Sequence, residues 1–143
     1  DAIITHNRFT LLNRNAEKMM EFAKEKGISV LNAAPYASGV LAKGSTAYPQ
    51  YVYMPLDDSI LELTQKLEDI CSRFEIPLGA LALQFSVRDP RIVSTVCGIS
   101  RPERVSETLQ WLEWDIPAAV WRELDDFPSS KEDPEASRFY SSG

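Results

Sequence analysis

Short apolar runs alternate with helical spacing along this chain. Ala2–Thr5 is a brief apolar run, the mark of a buried strand. Beyond Leu11-Leu12, Asn13 or Asn15 is placed to cap a helix in which Met19, Met20 and Ala23 recur on one face beside Phe22. Gly27 supplies the positive φ that a helix C-terminus favours, and Ile28–Ala34 follows as a second strand closed by Pro35. Residues 36–58 read as a long loop with Gly39, Gly44, Pro49 and Pro55, a length that inside a compact domain points to function or mobility.

Ser59-Ile60-Leu61-Glu62 matches a capping box, and Ile60, Leu63, Leu67, Ile70, Cys71 and Phe74 draw one apolar stripe behind it. Pro77 opens a helix over Leu78–Val87 that is apolar nearly all round and therefore expected to be buried; Asp89-Pro90 ends it. Ile92–Cys97 is a third strand. Ser100-Arg101-Pro102-Glu103 forms a second capping box, whose helix directs Val105, Leu109 and Leu112 inward. A last helix follows Asp115-Ile116-Pro117 and carries Val120, Trp121, Leu124 and Phe127. The expected division is a structured region over 1–127 and a flexible tail over 128–143, with Phe139-Tyr140 as its candidate anchors.

Strands alternating with helices predict parallel β/α units, and short apolar strands predict burial on both sheet faces. Three parallel strands cannot close a barrel and leave two unpaired edges. The chain also begins almost inside a strand, so the expectation is part of a larger fold.

Composition narrows the function. A formal net charge of −6 argues against a nucleic-acid partner. No apolar run is long enough to predict a membrane span, and the start lacks the features of a signal peptide. Cys71 and Cys97 have no C-x-x-C spacing and read as buried free thiols of a cytoplasmic protein. His6 is the single histidine and has no sequence neighbours that would make a metal motif.

Ligands of α/β folds bind where strands run into helices. At Gly98-Ile99-Ser100-Arg101-Pro102-Glu103-Arg104 the helix start offers free N–H groups, and Arg101 and Arg104 suit phosphate. The alternative is that Ser100 and Glu103 only cap the helix while both arginines are solvated. At Asn32–Gly39, small residues leave room at the strand end, and Tyr36 and Ser38 could contact a ligand or simply pack a turn. His6 closes the first strand and could serve acid/base chemistry or packing; no carboxylate is placed beside it by sequence.

Four ordered segments carry a resemblance. They are His6-Asn7-Arg8-Phe9-Thr10-Leu11-Leu12, Gly27 to Leu41, Leu78-Gly79-Ala80-Leu81-Ala82-Leu83-Gln84-Phe85 and Val96-Cys97-Gly98-Ile99-Ser100-Arg101-Pro102-Glu103-Arg104-Val105. Together they resemble the aldo-keto reductases, and within them the aldose dehydrogenase branch. The resemblance implies an α/β fold, the C-terminal part of a (β/α)8 TIM barrel, with these strands as strands six, seven and eight. It implies NADP or NAD as cofactor and hydride transfer to or from an aldose or other aldehyde or hydroxyl substrate.

The residues matching the family's cofactor loops are Tyr36, Ser38, Gly39 and Leu41 after one strand. After the next come Gly98, Ser100, Arg101 and Arg104, with Glu107 and Thr108 near the adenine. His6, Tyr51 and Tyr53 fall on the substrate rim, although loop packing is the plain alternative for the tyrosines. Ala33 stands where many members carry a nicotinamide-stacking aromatic, and His6 near where many carry a glutamine. The family's catalytic Asp, Tyr, Lys and His have no counterparts here, so the expectation is a chain inactive alone that needs an N-terminal barrel half. The alternative is a non-catalytic half-barrel that self-associates or binds nucleotide.

Overall fold

The structure, a computed structural model, describes residues 1–136; Phe139 and Tyr140 lie outside the described residues. Its centre is a parallel three-stranded sheet of β1 (Ala2–His6), β2 (Ser29–Ala33) and β5 (Ile92–Val96), in the order β1-β2-β5. Ile4 pairs with Leu31 and Leu31 with Ser94, so these residues share one face. The register slips between Val30 and Leu31, leaving Val93 unmatched.

Helix α1 (Glu17–Glu25) ends as its sequence predicts. Gly27 takes φ +66°, its N–H bonds Lys24 O, and the Ile28 N–H bonds Ala23 O, which together satisfy the last carbonyls. The start differs from expectation. Ala16 occupies the N-cap without a side-chain bond, because Asn13 and Asn15 are engaged elsewhere: their amides reach the Glu132 carbonyl at 2.8 Å.

The segment 36–58 is more ordered than a loop. A 3-10 turn (Ala37–Gly39) runs into α2 (Val40–Lys43), and β3 (Gln50–Tyr51) pairs antiparallel with β4 (Met54–Pro55). Helix α3 (Asp58–Arg73) is capped by Asp57, not Ser59. The Asp57 carboxylate accepts from Ile60 N at 2.9 Å and from the Ser59 hydroxyl at 2.6 Å. The predicted stripe holds: Ile60, Leu67, Ile70 and Cys71 are buried, with Leu63 and Phe74 against them. Burial pushes the free Cys71 thiol up to about 12, so it is inert packing.

Helix α4 (Leu78–Val87) is the buried one, with residues 79–83 inside. Helix α5 (Glu103–Leu112) follows Pro102 without the expected Ser100 cap, and α6 (Ala118–Asp125) contributes Val120 and Leu124 to the core. Two apolar clusters result. The larger joins Leu11, Leu12, Val40, Leu41, Leu67, Leu81 and Val120; the smaller joins Phe9, Met20 and Val30, with Phe9 stacked on Phe85 at 5.0 Å.

Burial on both sheet faces does not hold in these residues. Ile4 is 62% and Val93 65% exposed, and Val96 also faces out. Val105, Leu109 and Leu112 point outward rather than inward. Periodicity correctly marks an apolar face on α5, but nothing among the described residues covers it.

Residues 128–136, flexible by composition, lie back across the end of β1 as a strap. Ser130 N donates to Leu12 O, Arg8 forms an ion pair with Asp133 at 2.9 Å, and Asn7 and His6 both meet Glu135.

Candidate functional site

Parallel strands end on one side of the sheet, and there a cleft of about 460 Å³ opens among His6, Ala33, Ala34, Tyr36, Gly98 and Arg104. That volume suits a small-molecule site. The chain turns sharply to make it. Asn7 (φ 56°), Ala34 (59°), Ala37 (48°) and Ser38 (59°) are left-handed without being glycine; Asn7 and Ala34 directly follow β1 and β2, and Ala37 and Ser38 lie in the 3-10 turn beyond β2. Such conformations cost on the order of 1–3 kcal/mol each and gather at functional sites. The Ser38 hydroxyl reaches Asn7 Oδ1 at 3.5 Å, tying the two strand ends together. Gly39 takes φ +113° with the Tyr48 ring against it, where a methyl would lie 3.4 Å from that ring.

Of the residues that sequence reasoning places at the site, His6, Tyr36, Ser38, Gly39, Tyr53, Gly98, Ser100 and Arg104 line the cleft. Leu41 is fully buried in the core beneath it. Arg101 is exposed just before α5, and Glu107 and Thr108 sit one turn further along that helix, outside the lining. Tyr51 turns away from the cleft into a smaller pocket between the hairpin and the strap, beside Asp57 and Asp133. Sequence reasoning missed Ala42 and Lys43, which carry no motif signal. Gly98 needs no special conformation here, and a methyl there would meet nothing within 4 Å. The open space above it is cleft.

Charge distinguishes this hollow from the rest of the molecule. The chain is acidic overall, yet among the described residues the cleft is lined by Lys43 and Arg104 and by no carboxylate. The Arg104 side chain makes no ion pair among the described residues. Lys43 lies over the Tyr48 ring, 4.3 Å from its centroid. Helix α5 begins directly after Ser100-Arg101-Pro102, turning its N-terminus toward the same region. An unpaired arginine at a helix start is an arrangement that receives phosphate.

Tyr36 forms the floor. Its ring meets Trp111 edge-on at 5.7 Å, and its buried hydroxyl sits beside Cys97 and Thr108 without a hydrogen bond of good geometry among the described residues. Burial, reinforced by Cys97, pushes this phenol well above its ordinary value. Burial and the Glu135, Asp57 and Asp133 charges do the same to Tyr51. Both are neutral phenols at physiological pH and are not proton acceptors.

One side chain in the cleft is held by a partner that sequence reading could not find. His6 Nδ1 lies 2.9 Å from Glu135 Oε1, across 129 positions of sequence. The Glu135 side chain is only 7% exposed, and Asn7 Nδ2 donates to the same oxygen at 2.9 Å. Among the described residues, no group of three or more His, Cys, Asp or Glu is placed to hold a metal. No helix among them is long and apolar enough to cross a membrane.

Known proteins of similar sequence and fold place the chain in a family. The chain is similar to a pyridoxal 4-dehydrogenase of Microbacterium luteolum, 30% identical over 125 residues covering 87% of this chain and 36% of that protein. It is 29% identical to a D-threo-aldose 1-dehydrogenase of a Pseudomonas species over 126 residues, 87% of this chain and 38% of that protein. The chain thus spans little more than a third of the length of these relatives. In structure it resembles an aldo-keto reductase of Bacillus halodurans. Its apo form has a TM-score of 0.68 at 19% identity, covering 92% of this chain and 45% of that one. The holo form has a TM-score of 0.66 at 20% identity, covering 92% and 44%. That likeness gives the α/β fold of part of such a protein. Residues 1–128 match the aldo/keto reductase family, and the chain therefore belongs to it.

Proposed function

We propose that this chain supplies the cofactor-binding end of an NAD(P)-dependent oxidoreductase acting on an aldose or another small aldehyde or hydroxyl substrate. The observation that carries the reading is the cleft at the strand ends, free of carboxylates and with Arg104 unpaired beside a helix N-terminus among the described residues. In an acidic chain such a hollow selects an anion, and a dinucleotide diphosphate has the charge to fill it. The family membership and the two dehydrogenase relatives support reading that anion as a nicotinamide dinucleotide.

The residues present fit that cofactor. Ser100 and Arg104 would hold phosphate, with Arg101 near enough in sequence to join them. Ser38 and Gly39 would bring the strained turn against the dinucleotide, and Tyr36 would support it from below. Arg101 and Arg104 together would suit the 2′-phosphate of NADP. Leu41 supports this wall from the core, while Glu107 and Thr108, one turn further along α5, would be the residues nearest the adenine. When bound, the nicotinamide supplies or accepts the hydride. His6 and Tyr53 would form the substrate rim, and Tyr51 would brace the hairpin that carries Tyr53.

The sheet is read as strands six, seven and eight of an eight-stranded barrel. Both edges of the sheet are unpaired within it, and Ile4, Val93 and Val96 present apolar surface where further strands would pack. Burial makes Tyr36 and Tyr51 reluctant to give up a proton, so neither is offered as the acid or base; that group would come from the rest of the barrel. The same exposed edges favour a second reading, a half-barrel that pairs with its own copy and binds nucleotide without turnover.

The test is oxidation of a panel of aldoses, and reduction of the matching aldehydes, with NAD and NADP in turn, by the protein carrying this sequence. Turnover with at least one nicotinamide is expected. Failure with every pair sinks the enzymatic reading, and a defined dimer that binds nucleotide without turnover would establish the second.

A further inference from the structure

The contact between His6 and the strap has a chemical consequence for the cleft. A neutral imidazole carries one proton, on Nδ1 or on Nε2. An ionised carboxylate only accepts, so the nitrogen facing Glu135 must be the one that donates. That nitrogen is Nδ1, at 2.9 Å. Asn7 Nδ2 also lies 3.2 Å from Nδ1, but two donors cannot bond each other, and its 2.9 Å contact to Glu135 Oε1 satisfies it instead. One carboxylate oxygen therefore gathers both donors. Nε2 makes no hydrogen bond among the described residues and belongs to a side chain that lines the cleft.

Glu135 is itself fixed. The strap bearing it is pinned by the Arg8–Asp133 pair and by the Asn13 and Asn15 amides on the Glu132 carbonyl. Its side chain is only 7% exposed, so little solvent reaches the carboxylate that His6 meets.

We propose that Glu135 is a positioning residue that locks His6 as the Nδ1–H tautomer, so that Nε2 offers the cleft a hydrogen-bond acceptor for an N–H or O–H donor of the bound ligand. The proposal rests on the cleft being the ligand site assigned above. Two ligands carry such a donor: the carboxamide of a nicotinamide and the hydroxyl of a sugar. A lock of this kind selects against ligands that present only acceptors at this point, because two lone pairs would then face each other.

The test is 15N NMR of the protein labelled at histidine, with the His6 signal assigned by its loss in His6→Gln. The wild type should show a protonated Nδ1 and a pyridine-like Nε2. Glu135→Ala should release the ring to the Nε2–H form that free imidazole side chains prefer. Glu135→Gln, which keeps an acceptor oxygen in place, should retain Nδ1–H and so separates tautomer control from loss of structure. Adding a nicotinamide nucleotide or an aldose, each alone, should shift Nε2 with whichever ligand supplies the donor. Affinity for that ligand should fall about three- to tenfold in Glu135→Ala, the worth of one hydrogen bond.

An Nε2–H ring in the wild type, or a tautomer unchanged in Glu135→Ala, overturns the proposal. So does ligand binding that leaves Nε2 unmoved. Absence of any binding would instead count against the cleft assignment, while the tautomer result would still stand or fall by itself.

Discussion

Gly79 lies so close beneath the ring of Trp111 that a methyl group on its α-carbon would come within 2.3 Å of the indole. This is where α4 and α5 meet, and the same indole supports Tyr36 at the floor of the cleft. Gln84 secures the contact by donating to the Trp111 and Trp114 carbonyls at 2.8 Å.

Gly79→Ala should therefore destabilise the protein. Alanine's gain in helix propensity, about 0.5–1 kcal/mol, is set against an overpacking cost of about 1–3 kcal/mol. A net loss of about 1 kcal/mol is expected, read as a lower urea midpoint. Because Trp111 must move, its fluorescence should change in the folded state as well. An unchanged midpoint and spectrum would mean the helices separate at no cost.

The strap depends on Asn13, which is fully buried. Its oxygen accepts from Asn15 N and its amide donates to Glu132 O. Asn13→Ala removes both bonds and leaves the Glu132 carbonyl held by the Asn15 amide alone, at about 0.5–1.5 kcal/mol for each bond lost. Proteolysis after Pro128 should become faster in this variant while the core remains protected. Equal cleavage of both proteins would show that the strap is not held by this residue.

Acid should weaken the fold through named carboxylates. Burial alone would raise Asp89, but the Arg91 hydrogen bonds outweigh it and hold the carboxyl below its usual range. Ser59 and the Ile60 amide do the same for Asp57, and Arg8 does so for Asp133. A carboxyl lowered on folding stabilises the folded state above its unfolded value, near 3.9, and loses that contribution as pH falls through the folded value. Stability should therefore be flat from neutral pH to about 5 and decline below about 4. Asp89→Asn should be less stable at neutral pH and show a smaller decline in acid. Parallel pH curves for variant and wild type would remove Asp89 from the account.

Much of this was legible in the sequence because local chemistry decides it. The three apolar runs became the three strands, the stripe from Ile60 to Cys71 became the buried face of α3, and Gly27 ended α1 as its freedom of φ predicts. Caps were less legible. Asp57 and Ser59 are both good capping residues two positions apart, and only the backbone register settles which reaches Ile60 N. Asn13 and Asn15 looked like caps because their partners lie more than 110 residues away, a separation that no local pattern encodes. Val105, Leu109 and Leu112 show the converse limit: spacing reveals an apolar face but not whether anything covers it.

The site divides in the same way. Gly98, Ser100 and Arg104 could be placed at a strand end running into a helix start, where they line the cleft, but that local pattern alone left helix capping as the alternative to anion binding. Lys43 and the Glu135–His6 contact were not legible, since each is brought to the cleft by tertiary folding alone.

Arg101 and Arg104 are no longer equivalent once the cleft is known, because only Arg104 lines it. The most direct measurement is thus titration of NADPH and NADH into the wild type, Arg104→Ala and Arg101→Ala. The account predicts saturable binding that weakens about tenfold to a hundredfold in Arg104→Ala, the worth of a charge-assisted hydrogen bond, with a smaller loss in Arg101→Ala and the larger losses for NADPH. Absence of binding to the wild type, or binding that Arg104→Ala leaves intact, would contradict it.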